Sequence, residues 1–152
     1  MNPLWQPSEE QIQHSNMQKF IQQLSENLGL NFVSYKQLHQ WSVDQPEQFW
    51  AQVWQYSQIV SSAPYSSILT DKEQFPGAKW FTGARLNFAE NLLRNRTDKT
   101  ALVARLENGS RRTISYRALY QQVAQLAAAL RKLGVEQGDR VAGFMPNVPE
   151  TI

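Results

Sequence analysis

Cysteine is absent from the 152 residues. That excludes a disulfide framework, a thiolate metal site and a cysteine nucleophile, and it suits a reducing compartment. No apolar run approaches the roughly 20 residues that a membrane-spanning helix needs. The start, residues 1–7, lacks the basic and apolar regions of a secretory leader, so a cytoplasmic protein is expected. Charge of one sign is not in excess either. Fifteen Lys and Arg against thirteen Asp and Glu leave a net charge of +2. The densest basic run is Arg94, Arg96, Lys99, Arg105, Arg111 and Arg112. It reads as solvated surface, because a nucleic-acid face needs tighter clustering with stacking aromatics. Neither a nucleic-acid nor a membrane partner is expected.

What is present is a globular composition, 41% hydrophobic and 18% charged. Residues 1–93 are rich in Trp and Gln and read as a helical lead-in. Ser8 and Gln11 form a capping box for a first helix. Its apolar stripe is Ile12, Phe20, Ile21, Leu24 and Leu28, and Gly29 is its stop. A second helix is expected from Ser34, with Gln37 three residues on. A third follows Asp44, with Pro46 in its first turn and Phe49, Trp50, Val53 and Trp54 on one side. This aromatic cluster reads as core packing rather than a ligand box. Residues 57–93 carry few periodic signals and read as an ordered, aromatic wrapping segment ending in a short helix over 89–94.

Residues 94–152 change texture. Runs at 100–106 and 112–116 flank Asn108-Gly109, which predicts a hairpin whose two turn residues both take positive φ. A helix follows over 116–133, capped by Ser115, with Leu119, Val123, Leu126, Leu130 and Leu133 on one stripe. Gly134 ends it. Residues 139–145 read as a buried strand, and Asn147 as the cap of another helix with Pro149 in its first turn. The fold class expected is therefore α/β: a helical extension followed by the first βαβ unit of an incomplete parallel sheet.

Chemistry-bearing motifs are scarce. Gly77-Ala-Lys-Trp-Phe-Thr-Gly83 has the residues of a phosphate loop in the wrong order. Gly134 and Gly138 read as a helix stop and a turn, not a dinucleotide loop. His14 and His39 have no ligand or carboxylate at useful spacing. The Asn95 and Asn108 glycosylation patterns read as chance. No catalytic, cofactor-binding or metal residue is assigned.

One series is more specific. Thr113-Ile-Ser-Tyr-Arg-Ala-Leu119, Ala127 to Val135, Gly138-Asp-Arg-Val141 and Met145-Pro-Asn-Val-Pro-Glu150 together resemble the opening of the adenylate-forming acyl-CoA synthetases. In the first region, Leu4-Trp-Gln-Pro-Ser8, Trp41-Ser-Val-Asp44 and Pro76 through Leu93 are similar to the acetoacetyl-CoA synthetase branch. The resemblance implies a helical extension over 1–93 and the start of an AMP-binding domain over 94–152. It implies that a full-length protein joins acetoacetate to CoA with ATP and Mg²⁺ through an acyl-adenylate. It also implies that the phosphate loop and catalytic lysine lie past Ile152, so the remainder of the catalytic domain is this chain's expected partner and the chain alone is expected to be inactive. Arg85, Asn87, Glu90 and Asn91 are the residues of this stretch that could line a site, against a simpler reading as caps. Acetyl- or propionyl-CoA synthetases, and a non-enzymatic interaction module, are the alternatives.

An unfinished sheet leaves an apolar edge and face open. The isolated chain is expected to bind a hydrophobic dye and to aggregate on concentration. A sharp two-state melt from a monomer that binds no dye would contradict this.

Overall fold

A computed structural model describes residues 4–152; Met1–Pro3, part of the start read above for a leader, lie outside the described residues. The chain divides into two compact units, one ending at Leu86 and one running Asn87–Ile152.

The first unit opens with four helices: α1 (Glu9–Gln13), α2 (Asn16–Leu28), α3 (Tyr35–Asp44) and α4 (Pro46–Tyr56). The capping box at Ser8 and Gln11 forms in both directions, at 3.2 and 2.9 Å. The first expected helix is broken in two, however. Ser15 takes an extended conformation and its Oγ accepts from the Gln18 N–H, starting a fresh helix. A serine that can satisfy an orphan N–H competes with helix continuation at its own position. Gly29 closes α2 in the left-handed region at φ 67°. Ser34 caps α3 through the Gln37 N–H. α4 has no side-chain cap and relies on Pro46 in its first turn, whose missing N–H needs no partner.

Phe20, Leu24 and Leu38 are buried together at the seam of α2 and α3. Phe49, Val53 and Tyr56 of α4 pack on them, with Phe20 edge-on to both Phe49 and Tyr56. The aromatic residues of α4 therefore divide. Phe49 and Val53 turn to the helical core, whereas Trp50 and Trp54, one turn apart, face a hairpin of β1 (Ser67–Thr70) and β2 (Lys79–Thr82). That antiparallel pair lies within the segment read as wrapping. Its strands are four residues each, too short for the alternation of apolar and polar residues to declare itself. Gln52 is a buried polar side chain, and it accepts from Asn27 Nδ2 at 3.1 Å, which joins α4 to α2.

The second unit contains α5 (Phe88–Leu92), β3 (Thr100–Arg105), β4 (Arg111–Ser115), α6 (Tyr116–Lys132) and a 3₁₀ turn at Pro149–Thr151. The hairpin forms, but its turn and register differ from those of a two-residue Asn-Gly loop: Arg105 pairs with Arg111. Only Gly109 has positive φ, at 78°, and its N–H bonds the Leu106 carbonyl at 2.9 Å. Leu106 in turn donates to the Ser110 carbonyl at 3.0 Å, so the loop is longer than two residues. A turn followed by a left-handed glycine needs just one residue in that region, and Asn108 instead accepts from the Ser110 N–H. Ser115 caps α6 as expected. Ile114 is buried beneath it, but Leu126 and Leu133 remain 61% and 80% exposed.

Mixed helix and sheet is thus the observed class, while two sequence expectations fail in the second unit. Residues 139–145 join no ladder, and the described sheets are both two-stranded and antiparallel. A strand exists only through hydrogen bonds to a neighbour, and none lies beside this segment. Asn147 is not a helix cap; the 3₁₀ turn starts after Val148 without a side-chain cap bond.

Leu24 is wholly buried and small side chains cannot fill its place. Leu24→Ala is expected to cost about 2–5 kcal/mol, read as a lower urea midpoint with an unchanged slope.

Candidate functional site

Three places in the structure gather the residues that could carry function. In the first unit, α4 and the β1–β2 hairpin enclose an apolar pocket of about 260 Å³ lined by Trp50, Val53, Trp54, Ile59, Phe81 and Leu86. Its wall is a stack of rings: Phe81 lies 4.6 Å from Trp54 and 5.3 Å from Tyr65, centroid to centroid. Phe81 sits at φ 46°, a left-handed conformation that a bulky residue keeps only when its surroundings hold it. The rings on either side do so. Lys79, the one cation of the phosphate-loop-like stretch, is paired with Asp71 at 3.2 Å on the hairpin. The pocket offers mainly apolar contact, with Ser57 as the one hydroxyl-bearing residue in its lining.

The Asn87 stretch is a capping device. Asn87 Oδ1 accepts from the Glu90 N–H at 3.0 Å, and the Asn87 carbonyl accepts from both the backbone and the side chain of Asn91. Asn87, Glu90 and Asn91 are therefore brought together by the start of α5. Arg85 belongs to the other unit. Its backbone bridges to Ala63, and its carbonyl accepts from the Ser62 N–H and hydroxyl. These contacts are a helix cap at Asn87 and a backbone bridge at Arg85.

In the second unit, polar groups meet around β4. Arg117 at the start of α6 grips Asp98 with two hydrogen bonds, at 2.7 and 3.2 Å. Arg112 grips Glu150 in the same two-pronged way, with its Nη1 3.2 Å from Oε2 and its Nη2 on Oε1. An open cleft lined by Asp98, Thr100, Arg112, Thr113, Ser115 and Gln122 lies between these pairs. The Arg117 hydrogen bonds, and then its charge, hold the Asp98 carboxyl below the ordinary carboxylate range. The Arg112 hydrogen bonds, seconded by a backbone N–H, do the same for Glu150. Sequence reading missed both pairs, since partners 19 and 38 residues apart leave no local periodic signal. Arg96 is also engaged, with its guanidinium 3.8 Å above the Tyr120 ring.

Among the described residues no three His, Asp or Glu side chains converge as metal ligands. His14 Nδ1 lies 2.7 Å from the Glu10 carbonyl of its own turn. No helix of the described residues is long and apolar enough to cross a membrane.

Comparison with known proteins shows what each part of the chain is similar to. Residues 35–92 match the family model described as the acetyl-coenzyme A synthetase N-terminus, and residues 88–152 match that of the AMP-binding enzymes. An acetoacetyl-CoA synthetase of Xenopus tropicalis is 38% identical over 98% of this chain and 22% of its own length. An acetoacetyl-coenzyme A synthetase of Rhizobium meliloti is 39% identical over 99% of this chain and 23% of its own. The solved structure of an acetoacetyl-CoA synthetase from Streptomyces lividans superposes with a TM-score of 0.89 at 40% identity, covering 99% of this chain and 24% of that one. The chain thus spans less than a quarter of the relatives it matches.

Both carboxylates have lowered native pKa values, so their contribution to stability is complete above the ordinary carboxylate pKa of about 4 and is lost as pH falls through the native values. Asp98→Asn and Glu150→Gln are expected to melt slightly below wild type at pH 7, with the differences vanishing as the pH is taken towards about 2. Thermal melts across that range check this, and differences that persist in acid would refute it.

Proposed function

We propose that this chain, a member of the AMP-binding acyl-CoA synthetase family, forms the amino-terminal part of an ATP-dependent acetoacetate–CoA ligase. The observation that carries the reading is the span of the similarity. Both units, over nearly the whole chain, follow acetoacetyl-CoA synthetases at 38–39% identity. In the reaction, an acetoacetate oxygen attacks the α-phosphorus of ATP, releasing pyrophosphate and leaving an acetoacetyl-adenylate. The thiolate of CoA then attacks the acyl carbon, and AMP departs to give acetoacetyl-CoA. A cytoplasmic setting, with its ATP and CoA, accompanies this reading.

The residues present contribute structure to that chemistry. Mg²⁺ is expected for the full-length reaction, but the described residues do not fit it, because their acidic groups are dispersed or already paired with arginine. No metal-assisted step is therefore assigned to them. Arg112–Glu150 ties the 3₁₀ turn to the hairpin, and Arg117–Asp98 ties the start of α6 to the segment before β3. These contacts fix the direction in which the backbone leaves the unit. The aromatic wall around Phe81 does the corresponding work in the first unit by holding the hairpin on α4.

Pyrophosphate release with ATP, CoA and alternative carboxylates tests the proposal. A protein that continues this chain through its catalytic domain is expected to prefer acetoacetate over acetate and propionate, and the 152-residue chain to release none. Preference for acetate, or turnover by the short chain, would overturn it.

A further inference from the structure

One motif singled out by the sequence is put to no use in the reading above: Asn108-Gly109, in the turn of the β3–β4 hairpin. It is the one asparagine of the chain followed by glycine; the others precede proline or larger residues. An asparagine before glycine holds the parts of a cyclisation. The Gly109 backbone nitrogen can close a ring on the Asn108 side-chain carbonyl carbon, and glycine has no side chain to obstruct it. In the turn, both parts are engaged elsewhere. The Gly109 N–H donates to the Leu106 carbonyl at 2.9 Å. Asn108 Oδ1 accepts from the Ser110 N–H at 3.0 Å, the usual use of an asparagine side chain in a turn. The nitrogen that would attack thus has its proton bonded, and the carbonyl that would be attacked is tethered to a different N–H. The pair that closes the turn is Arg105 with Arg111, and like charges directly opposite weaken a pairing, so this is an end of the hairpin disposed to open.

We propose that Asn108-Gly109 is a self-modification site, which the folded turn holds closed and which reacts when the turn opens. On opening, the Gly109 nitrogen gives up its proton to base and bonds to Asn108 Cγ. The side-chain amide nitrogen takes up a proton and leaves as ammonia, and a cyclic imide remains. Water then adds to either imide carbonyl and breaks that carbonyl's bond to the ring nitrogen. The product is aspartate or isoaspartate at position 108. Water and base are the only co-reactants. Either product places a negative charge in a turn bounded by Arg105 and Arg111, and isoaspartate also adds a carbon to the main chain there. The rate follows the fraction of time for which the turn's bonds are broken. The gate consists of bonds within residues 106–110 themselves.

The test incubates the 152-residue chain in mildly alkaline buffer with and without urea, and follows each asparagine by peptide mass spectrometry. Asn108 is expected to be the fastest to react in urea and roughly tenfold slower in the folded chain, the scale of protection that the turn's hydrogen bonds supply. Ser110→Pro removes the N–H that Oδ1 accepts. It is expected to speed the reaction in buffer and to leave the rate in urea unchanged. Gly109→Ala crowds the attacking nitrogen and is expected to slow the reaction in urea, where folding plays no part. Amide exchange followed by NMR reads the gate directly, with the Gly109 and Ser110 N–H groups expected to be protected relative to that of Asn108. Faster reaction of another asparagine in urea, equal rates with and without urea, no acceleration in Ser110→Pro, no slowing in Gly109→Ala, or unprotected amides at Gly109 and Ser110 would each overturn the proposal.

Discussion

One small interaction starts five of the six α-helices among the described residues, α4 being the exception: a side-chain oxygen accepting the backbone N–H three residues on. Ser8, Ser15, Ser34, Asn87 and Ser115 all make it, each from an extended conformation. The dependence follows from how little core there is. Four apolar residues are buried in the described chain, and two of the helices are five residues long. Helices that short do not hold themselves in water, because nucleation costs more than a turn or so of hydrogen bonds returns. Capping satisfies donors that would otherwise be left open, and fixes where each helix starts and so which face it turns to its neighbours. The apolar seam of Phe20, Leu24 and Leu38 then needs only the correct faces, which the caps of α2 and α3 supply.

The same fact explains what could be read from sequence. Caps at Ser8, Ser34 and Ser115 are visible because a residue that accepts the bond precedes a periodic apolar run. Ser15 carries the same signal, with Gln18 three residues later, but it lies inside a stripe that continues past it from Ile12 to Phe20. Periodicity argues for one helix there and local hydrogen bonding for two, and the local bond prevails. The hairpin was legible through Asn108-Gly109, though not its turn type, since the Asn side chain was free to bond Ser110 rather than adopt positive φ. Residues 139–145 show the opposite limit. Their apolar character is real, but strand formation depends on a neighbour that composition cannot reveal.

The candidate site was legible mainly as family resemblance, and the structure now supplies physical reasons for parts of that pattern. Asn87 and Asn91 of the Leu-Asn-Phe-Ala-Glu-Asn stretch are joined in starting α5. Glu150 of the Pro-Asn-Val-Pro-Glu stretch is the counter-ion of Arg112. Trp80 and Phe81 of the Lys-Trp-Phe-Thr stretch meet Trp50 and Trp54 on α4. Glu150 and the Trp80–Phe81 pair close contacts with residues far along the chain, and such contacts are invisible to spacing rules.

Charge pairing separates what is finished in this scaffold from what is still open. Arg112 and Arg117 each spend both prongs of the guanidinium on one carboxylate, so the surfaces they occupy have no further demand for an anion. Such exposed pairs add little stability; their value lies in direction, because a two-pronged contact fixes orientation as well as distance. Arg105 and Arg111 make the contrast. They occupy the same hairpin, yet face each other rather than a carboxylate. The exposed Leu126 and Leu133 of α6 repeat the pattern in apolar terms, since the helix carries a longer stripe than the hairpin beneath it can cover. Satisfied groups lie where the chain folds on itself, and unsatisfied ones lie along the outer hairpin face and the far half of α6.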